Sequence, residues 1–531
     1  MNRRAFIEGF GAAVTLAPGI SLRAASTKDS HPDLTKLNPK LMAAEKEVHA
    51  WHVAKDSQGG PTIAGSPSWH NYLELLEKNY RDAGVVDIFR NPIRYTRWST
   101  SEYPDDSNWT LHVDGKKIKV ASYGCNSGHT PDEGVTGELV VYKQGMPAEA
   151  LRGKIAIVEK TLSPEASAAA GVGTATGDYE YLSNPETFPN PDVPRGEEGA
   201  LSPFPIMGLG ATQKPLIDAG AAGALMVMPL SYEALAGTYT FGVPALHQMP
   251  SLYLDRETGA AILAAAKDGK RATLKLIAKT EDAETYQLFG YLPGKDYGTP
   301  GDQQVLLITH TDGPSISQEN GALGILGIVK YFSRIPKAER PRTLMIFLDC
   351  RHYMPGAERA FAKEDYASSH PDVYKNVIAA MGIEHLGQVQ VSESGGKPYH
   401  KTGRAELSTV WITNNRHMID MAIQAVKDNH LERTQVQCPG HKGLHGGEQG
   451  PWYGLGGIAR RIGVPGASTM GSMTAYWSTK ARMDYLDTKH FVKQVATMTQ
   501  LCGNLVTAEL ETIKTTGPAG GALPRASERS Q

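Results

Sequence analysis

The sequence predicts an α/β fold, with a mostly parallel β-sheet covered by helices on both faces. Between Tyr286 and Leu510, short and continuously apolar runs alternate with stretches of helix length. Strands joined through helices pair in parallel, because the helix carries the chain back to the start of the sheet. The runs lack the polar alternation of a strand with one wet face, so both faces are expected to be covered. The residues best suited to chemistry stand just after those runs. Open α/β sheets hold their ligands at that carboxyl edge.

The N-terminus, Asn2-Arg3-Arg4-Ala5-Phe6-Ile7, pairs two arginines with an apolar residue two positions on. A short Gly/Ala-rich apolar stretch follows from Phe10 to Leu22, and small residues Ala24, Ala25 and Ser26 end it. This order predicts a twin-arginine export signal over residues 1–25, and so a periplasmic or secreted protein. No stretch reaches the ~18 uncharged apolar residues of a spanning helix, so no membrane span is expected. From Asp33 to Val86 the pattern is helical, with Leu73, Leu75, Leu76 and Tyr80 at helix spacing.

The texture changes between Trp109 and Lys279. β-type runs appear at Gly137 to Tyr142 and Lys154 to Val158, and further strands at Gly223 to Met228, Val243 to Tyr253 and Ala272 to Ile277. Gln213 to Ala222 reads as a helix. Ser163 to Pro205, rich in Ala, Gly, Pro and acids, reads as one long loop. Beyond Tyr286, strands are expected at Gln304 to Thr309, Thr343 to Leu348 and Val377 to Ile383, with a helix at Ala322 to Phe332. Residues 31–108 and 285–510 would then form the main α/β domain and residues 109–284 an inserted β/α domain. The polar tail 511–531 is expected to be disordered.

Formal net charge is −2 and 21% of residues are charged. Nucleic-acid binding needs a basic stripe, so that partner is excluded as the main one. The expected partner is a small molecule or short peptide; a homo-oligomer is left open. The four cysteines, Cys125, Cys350, Cys438 and Cys502, form no C-x-x-C pair, which argues against a cysteine zinc site.

Several anchors together resemble one family, the zinc aminopeptidase, glutamate carboxypeptidase and glutaminyl cyclase group. Phe289-Gly290-Tyr291-Leu292-Pro293-Gly294-Lys295 is similar to its entry strand. Thr309-His310-Thr311-Asp312 is similar to its His-x-Asp motif. Asn320-Gly321-Ala322-Leu323-Gly324 stands where the family opens a helix with Asp-Asn-Ala-Ser-Gly. Gly447-Glu448-Gln449-Gly450-Pro451-Trp452 and Gly463-Val464-Pro465-Gly466 resemble two later motifs. Leu139 to Val227 resembles the core of a protease-associated domain. The resemblance implies a di-zinc exopeptidase-like fold with that domain inserted, and a hydrolytic activity.

The zinc positions depart from the family pattern. By resemblance, His310 is the first ligand, with Asp312 orienting it, and Glu384 is a terminal carboxylate. Asn320 stands at the bridging aspartate, where a neutral amide is a poor bridge. Arg351 and His352 stand at the Glu-Glu pair, which removes the usual base. Trp477 stands at the last histidine, and its indole nitrogen only donates. The expectation is a rebuilt site. His310, His352 and Glu384 would hold one divalent metal, zinc or iron, or the site would hold none. Arg351, His352, Tyr353, His385 and Glu448 are the candidate catalytic groups. Asn320, Trp452, Tyr476 and Trp477 are the candidate substrate contacts. Cys350 is a candidate nucleophile, with a buried thiol as the alternative. His441, His445 and Glu448 form a second cluster, in a Gly-rich loop.

The leading expectation is a hydrolase acting on an amide or related bond of a small acidic or aromatic substrate. A metal-independent lyase or cyclase on the same fold is one alternative. A non-catalytic binding protein is the other.

Overall fold

The computed structural model describes residues 33–160, 179–184, 209–239, 249–354, 366–393, 397–438, 452, 454–471, 475 and 477–514. The export signal, the tail from 515, Tyr476, and the His441, His445 and Glu448 cluster lie outside the described residues.

The larger sheet has nine strands. In spatial order they are Val86–Ser99, Lys279–Leu292, Thr343–Asp349, Gln304–His310, Val377–Ile383, Gly466–Gly471, Ser408–Ile412, Thr434–Gln437 and Tyr181–Leu182. The ladders joining the middle strands, from Thr343–Asp349 to Gly466–Gly471, are all parallel. Ser408–Ile412 also pairs with Thr434–Gln437 in parallel. The flanking ladders are antiparallel, so the sheet is mixed around a parallel centre.

Alternation along the central strands sorts the core into two layers. Val305, Leu307, Leu344, Ile346, Ala379 and Met381 pack under the helices Glu45–Asp56, Pro67–Asp82, Gly321–Ser333, Arg416–Asp428 and Thr488–Thr507. Leu306, Ile308, Met345, Phe347 and Ala380 face the other way. There they join one continuous cluster with Leu111, Ile155, Leu225, Leu252 and Leu274 of a second sheet. That sheet has eight strands, all drawn from the chain between Trp109 and Leu276.

The helix Gly321–Ser333 shows how burial decides local structure. Its glycines at 321, 324 and 327 each cost a helix ~1 kcal/mol relative to alanine. Leu323, Ile325, Leu326 and Ile328 are each at most 1% exposed, and burying such a side chain contributes ~1.5–3 kcal/mol. Burial wins. Gly321 is required by close approach, since a Cβ there would meet the Ile383 carbonyl oxygen at 2.0 Å and Thr309 Oγ1 at 2.2 Å. The absent side chain lets the helix start between two strand ends.

Two features differ from the sequence reading. The stretch read as one loop, Ser163 to Pro205, contains the short edge strand Tyr181–Leu182. Glu180 N–H donates to the Val436 carbonyl and Ser183 N–H to the Thr434 carbonyl, so a tertiary partner sets this strand and not its own propensity. The second is the long pair of Val86–Ser99 with Lys279–Leu292, in register from Phe89 opposite Phe289 to Ser99 opposite Lys279. Its outer member carries Arg90, Pro92, Arg94 and Arg97. Charges and proline on an edge strand discourage pairing with another chain. The same residues hide its strand character. No helix among the described residues is long and apolar enough to cross a membrane.

Candidate metal centre and active site

His310 ends its strand at the carboxyl edge of the sheet, opposite Asp349 of the neighbouring strand. Glu384 and His385 follow directly on Val377–Ile383. The chain turns sharply there. His385 has a φ of 56°, a left-handed conformation rarely adopted by residues other than glycine. That turn brings three side chains together: ligand atoms of His310, Glu384 and His385 all lie within 4.8 Å of one another. His310 Nε2 is 3.4 Å from His385 Nε2 and 3.7 Å from Glu384 Oε2.

Each group is held in place from behind. His310 Nδ1 lies 2.9 Å from the Asp312 carbonyl oxygen, which fixes the proton on Nδ1 and leaves the lone pair on Nε2. The Asp312 carboxylate lies further off, with Oδ1 4.0 Å from His310 Nδ1. It accepts the N–H groups of His352 at 3.2 Å and Tyr353 at 2.6 Å. Leu455 N–H donates to Glu384 Oε1. Burial lowers His310 to about 4 and drives His385 well below its ordinary value. Burial raises Glu384 to about 7. Two neutral imidazoles and one carboxyl group thus converge. That donor set fits one divalent zinc or iron ion.

The other expected residues divide clearly. His352 was expected to be a ligand, but its ring stacks face-on against His310, with centroids 4.1 Å apart and planes 21° apart. His385 therefore completes the cluster in its place. The Arg351 side chain is turned back onto Asp349, with Nε 2.8 Å from Oδ1 and Nη2 2.6 Å from Oδ2. Its charge is neutralised within the fold. Tyr353 and Trp477 are buried with ring centroids 6.2 Å apart. The Trp452 indole donates to Ser468 Oγ at 2.8 Å beneath Gly456 and Gly466. Asn320 is fully buried, and its amide bonds to the Leu386 backbone rather than facing His310 or Glu384. The Cys350 thiol is pushed well up by burial and then by Asp349, which opposes a thiolate. The four cysteines are unpaired and buried.

One contribution was missed from sequence. The segment that carries the second sheet contacts Trp477 and Tyr353 through Gly237, Thr238 and Tyr239. Tyr239 N–H donates to the Trp477 carbonyl at 2.6 Å, and Thr238 bridges Ser478. The Tyr239 ring lies 5.7 Å from Tyr353. Nothing in the local sequence distinguishes this tyrosine from a core residue.

Solved structures share this architecture. A peptidase M28 precursor from Shewanella amazonensis SB2B superposes with a TM-score of 0.60 at 14% identity, covering 91% of this chain and 98% of that one. An aminopeptidase from Aneurinibacillus sp. strain AM-1 gives 0.52 at 14% identity, covering 93% and 99%. A zinc aminopeptidase from Bacillus subtilis gives 0.53 at 13% identity, covering 88% and 97%. The chain has the zinc aminopeptidase fold. The likeness at these identities is one of fold. No protein-family model matches the chain. Among curated proteins, Bos taurus carboxypeptidase Q is 27% identical over 82 residues, which is 15% of this chain and 16% of that protein. The exopeptidase architecture expected from the motifs is therefore present.

Proposed function

We propose that this chain is a metal-dependent hydrolase of amide bonds in small substrates or short peptides, with one divalent ion at His310, Glu384 and His385. The observation that carries this is the convergence of those three ligand atoms at the carboxyl edge of an aminopeptidase-type sheet. A bound zinc or iron ion would supply Lewis acidity toward the amide carbonyl. The chain's own residues do the rest. Asp312 and Leu455 hold His310 and Glu384 in orientation. His352 lies against His310 and is only half-buried, so it is the imidazole placed to exchange protons between substrate and solvent. Tyr353, Trp477 and Tyr239 form an aromatic wall that keeps water from the reacting bond. With Arg351 committed to Asp349, the wall favours an aromatic substrate over an acidic one. Residues 109–284 act in this reading as a protease-associated domain that closes one side of the site. Residues 1–25 export the protein.

Metal analysis of the purified full chain tests the proposal. One tightly bound ion is expected, lost in His310→Ala and His385→Ala together with amidase activity on dipeptide amides. Two tightly bound zinc ions, or activity that survives exhaustive chelation, would refute it.

A further inference from the structure

Asn320 stands at the N-cap position of the helix Gly321–Ser333, yet its side chain makes no capping bond there. Nδ2 donates to the Leu386 carbonyl at 2.8 Å, and Oδ1 accepts the Leu386 N–H at 3.1 Å. Nδ2 also lies 3.3 Å from His52 Nε2. His52 Nδ1 is 2.9 Å from the Val48 carbonyl oxygen, so that nitrogen carries the proton and Nε2 accepts. Burial lowers His52 to about 3, and the ring stays neutral. Both amide donors and the amide oxygen are thereby matched at a fully buried position.

We infer that Asn320 is a positioning residue for the metal centre: its amide clasps the Leu386 backbone in both directions and fixes the turn that aims Glu384 and His385 at His310. The inference rests on the metal reading above and gives a role there to a side chain that touches neither ion nor substrate. Leu386 follows directly on His385, whose left-handed φ of 56° persists only where the surroundings hold it. The turn is held on both sides of that residue's neighbour. Asn320 binds Leu386, and Gly387 N–H donates to Gln494 Oε1 at 2.7 Å. The clasp needs a side chain that donates and accepts from one planar group, which an amide does and a carboxylate does not. An ionised aspartate at this buried position would set acceptors against both the Leu386 carbonyl and the His52 lone pair, and a protonated one has a single O–H for the two. An acid at this position therefore loosens the existing site instead of adding a ligand for a second ion.

Asn320→Asp and Asn320→Ser in the full chain test this. The readouts are zinc affinity, zinc stoichiometry and hydrogen exchange at the Leu386 amide. In the native chain that amide should exchange slowly. In both variants it should exchange at least about tenfold faster, with zinc bound at one site at least about tenfold more weakly. His310→Ala, run alongside, reports on the metal reading: it should abolish zinc binding and leave Leu386 slow. If the native chain binds no zinc, the metal reading fails and Leu386 exchange alone decides the clasp. Should Asn320→Asp fail to fold, Asn320→Ser carries the same readouts. Fast exchange at Leu386 in the native chain, unchanged exchange in the variants, or two zinc ions in Asn320→Asp would overturn the inference.

Discussion

Gly454→Ala should cripple the metal site through a single methyl group. Gly454 has a φ of 70°, and a Cβ there would lie 2.3 Å from Glu384 Oε1 and 3.3 Å from Met470 Sδ. Alanine in the left-handed region costs ~1–2 kcal/mol. The methyl also forces the carboxylate off the Leu455 N–H, and a hydrogen bond to a charged group is worth ~1.5–3 kcal/mol. The backbone strain is present with and without metal, so the lost hydrogen bond at one of the three proposed ligands sets the change in affinity. Zinc affinity should therefore fall ~10- to 100-fold, equivalent to ~1.4–2.7 kcal/mol. Competition against a chromophoric chelator measures this. Gly457→Ala is the control, because its Cβ would meet the Trp452 carbonyl at an ordinary 3.4 Å and no positive φ is involved. If Gly454→Ala binds zinc as the native chain does while Gly457→Ala behaves identically, Glu384 is not a ligand.

Metal affinity should depend on pH through Glu384. Its carboxyl, raised by burial to about 7, must lose a proton to bind, so affinity should fall about tenfold per pH unit below 7, and a flat profile from pH 5 to 8 would exclude it. Without metal the sign reverses: the raised value means the apo fold gains from the protonated carboxyl below about 4.5 and loses that gain as pH rises through about 7, visible in apo melting curves. Lys55→Met should destabilise by ~3–5 kcal/mol in urea unfolding, because Lys55 and Glu319 form a 2.5 Å ion pair at 1% and 0% exposure and the carboxylate would be left buried with only the Thr62 hydroxyl. Replacing both members by methionine should recover most of that loss. Tyr239→Ala should lower kcat/KM on aromatic substrates while leaving zinc affinity unchanged, since its ring meets Tyr353 but none of the proposed ligands, and its backbone bond to Trp477 is kept. An equal loss on aliphatic substrates would remove the aromatic wall from the account.

The parallel centre of the sheet was legible because its strands are buried on both faces. Gln304–His310, Thr343–Asp349 and Val377–Ile383 read as unbroken apolar runs, and their ends located His310 and Glu384. Among the strands not read from the sequence, Tyr181–Leu182 lies at an edge and Val86–Ser99 faces water, its exposed arginines and the glutamates across the ladder masking its period, whereas Ser408–Ile412 and Thr434–Gln437 are buried throughout. The ligand set was only partly legible for a different reason. His352 and His385 are equally suitable by residue type and both follow a strand end. What separates them is the backbone: a left-handed turn at His385 and an Asp312 carboxylate that caps His352 and Tyr353. Neither leaves a local sequence signature, since non-glycine residues with positive φ follow no motif.

Asn320 and Arg351 show how much of a family position is charge and how much is architecture. Both stand where the resemblance calls for carboxylates, and both remain hydrogen-bonded elements of the same loops. Arg351 could not be tolerated at 4% exposure without the bidentate Asp349 beside it. Asn320 could not sit at 0% exposure without Leu386 and His52 to match its amide. Each substitution thus comes with its own partner. A site decaying by random loss would leave such groups unmatched at a cost of ~1–3 kcal/mol apiece, whereas here Arg351 and Asn320 each have hydrogen-bonded partners and His310, Glu384 and His385 converge. These matched partners favour the single-ion centre proposed above.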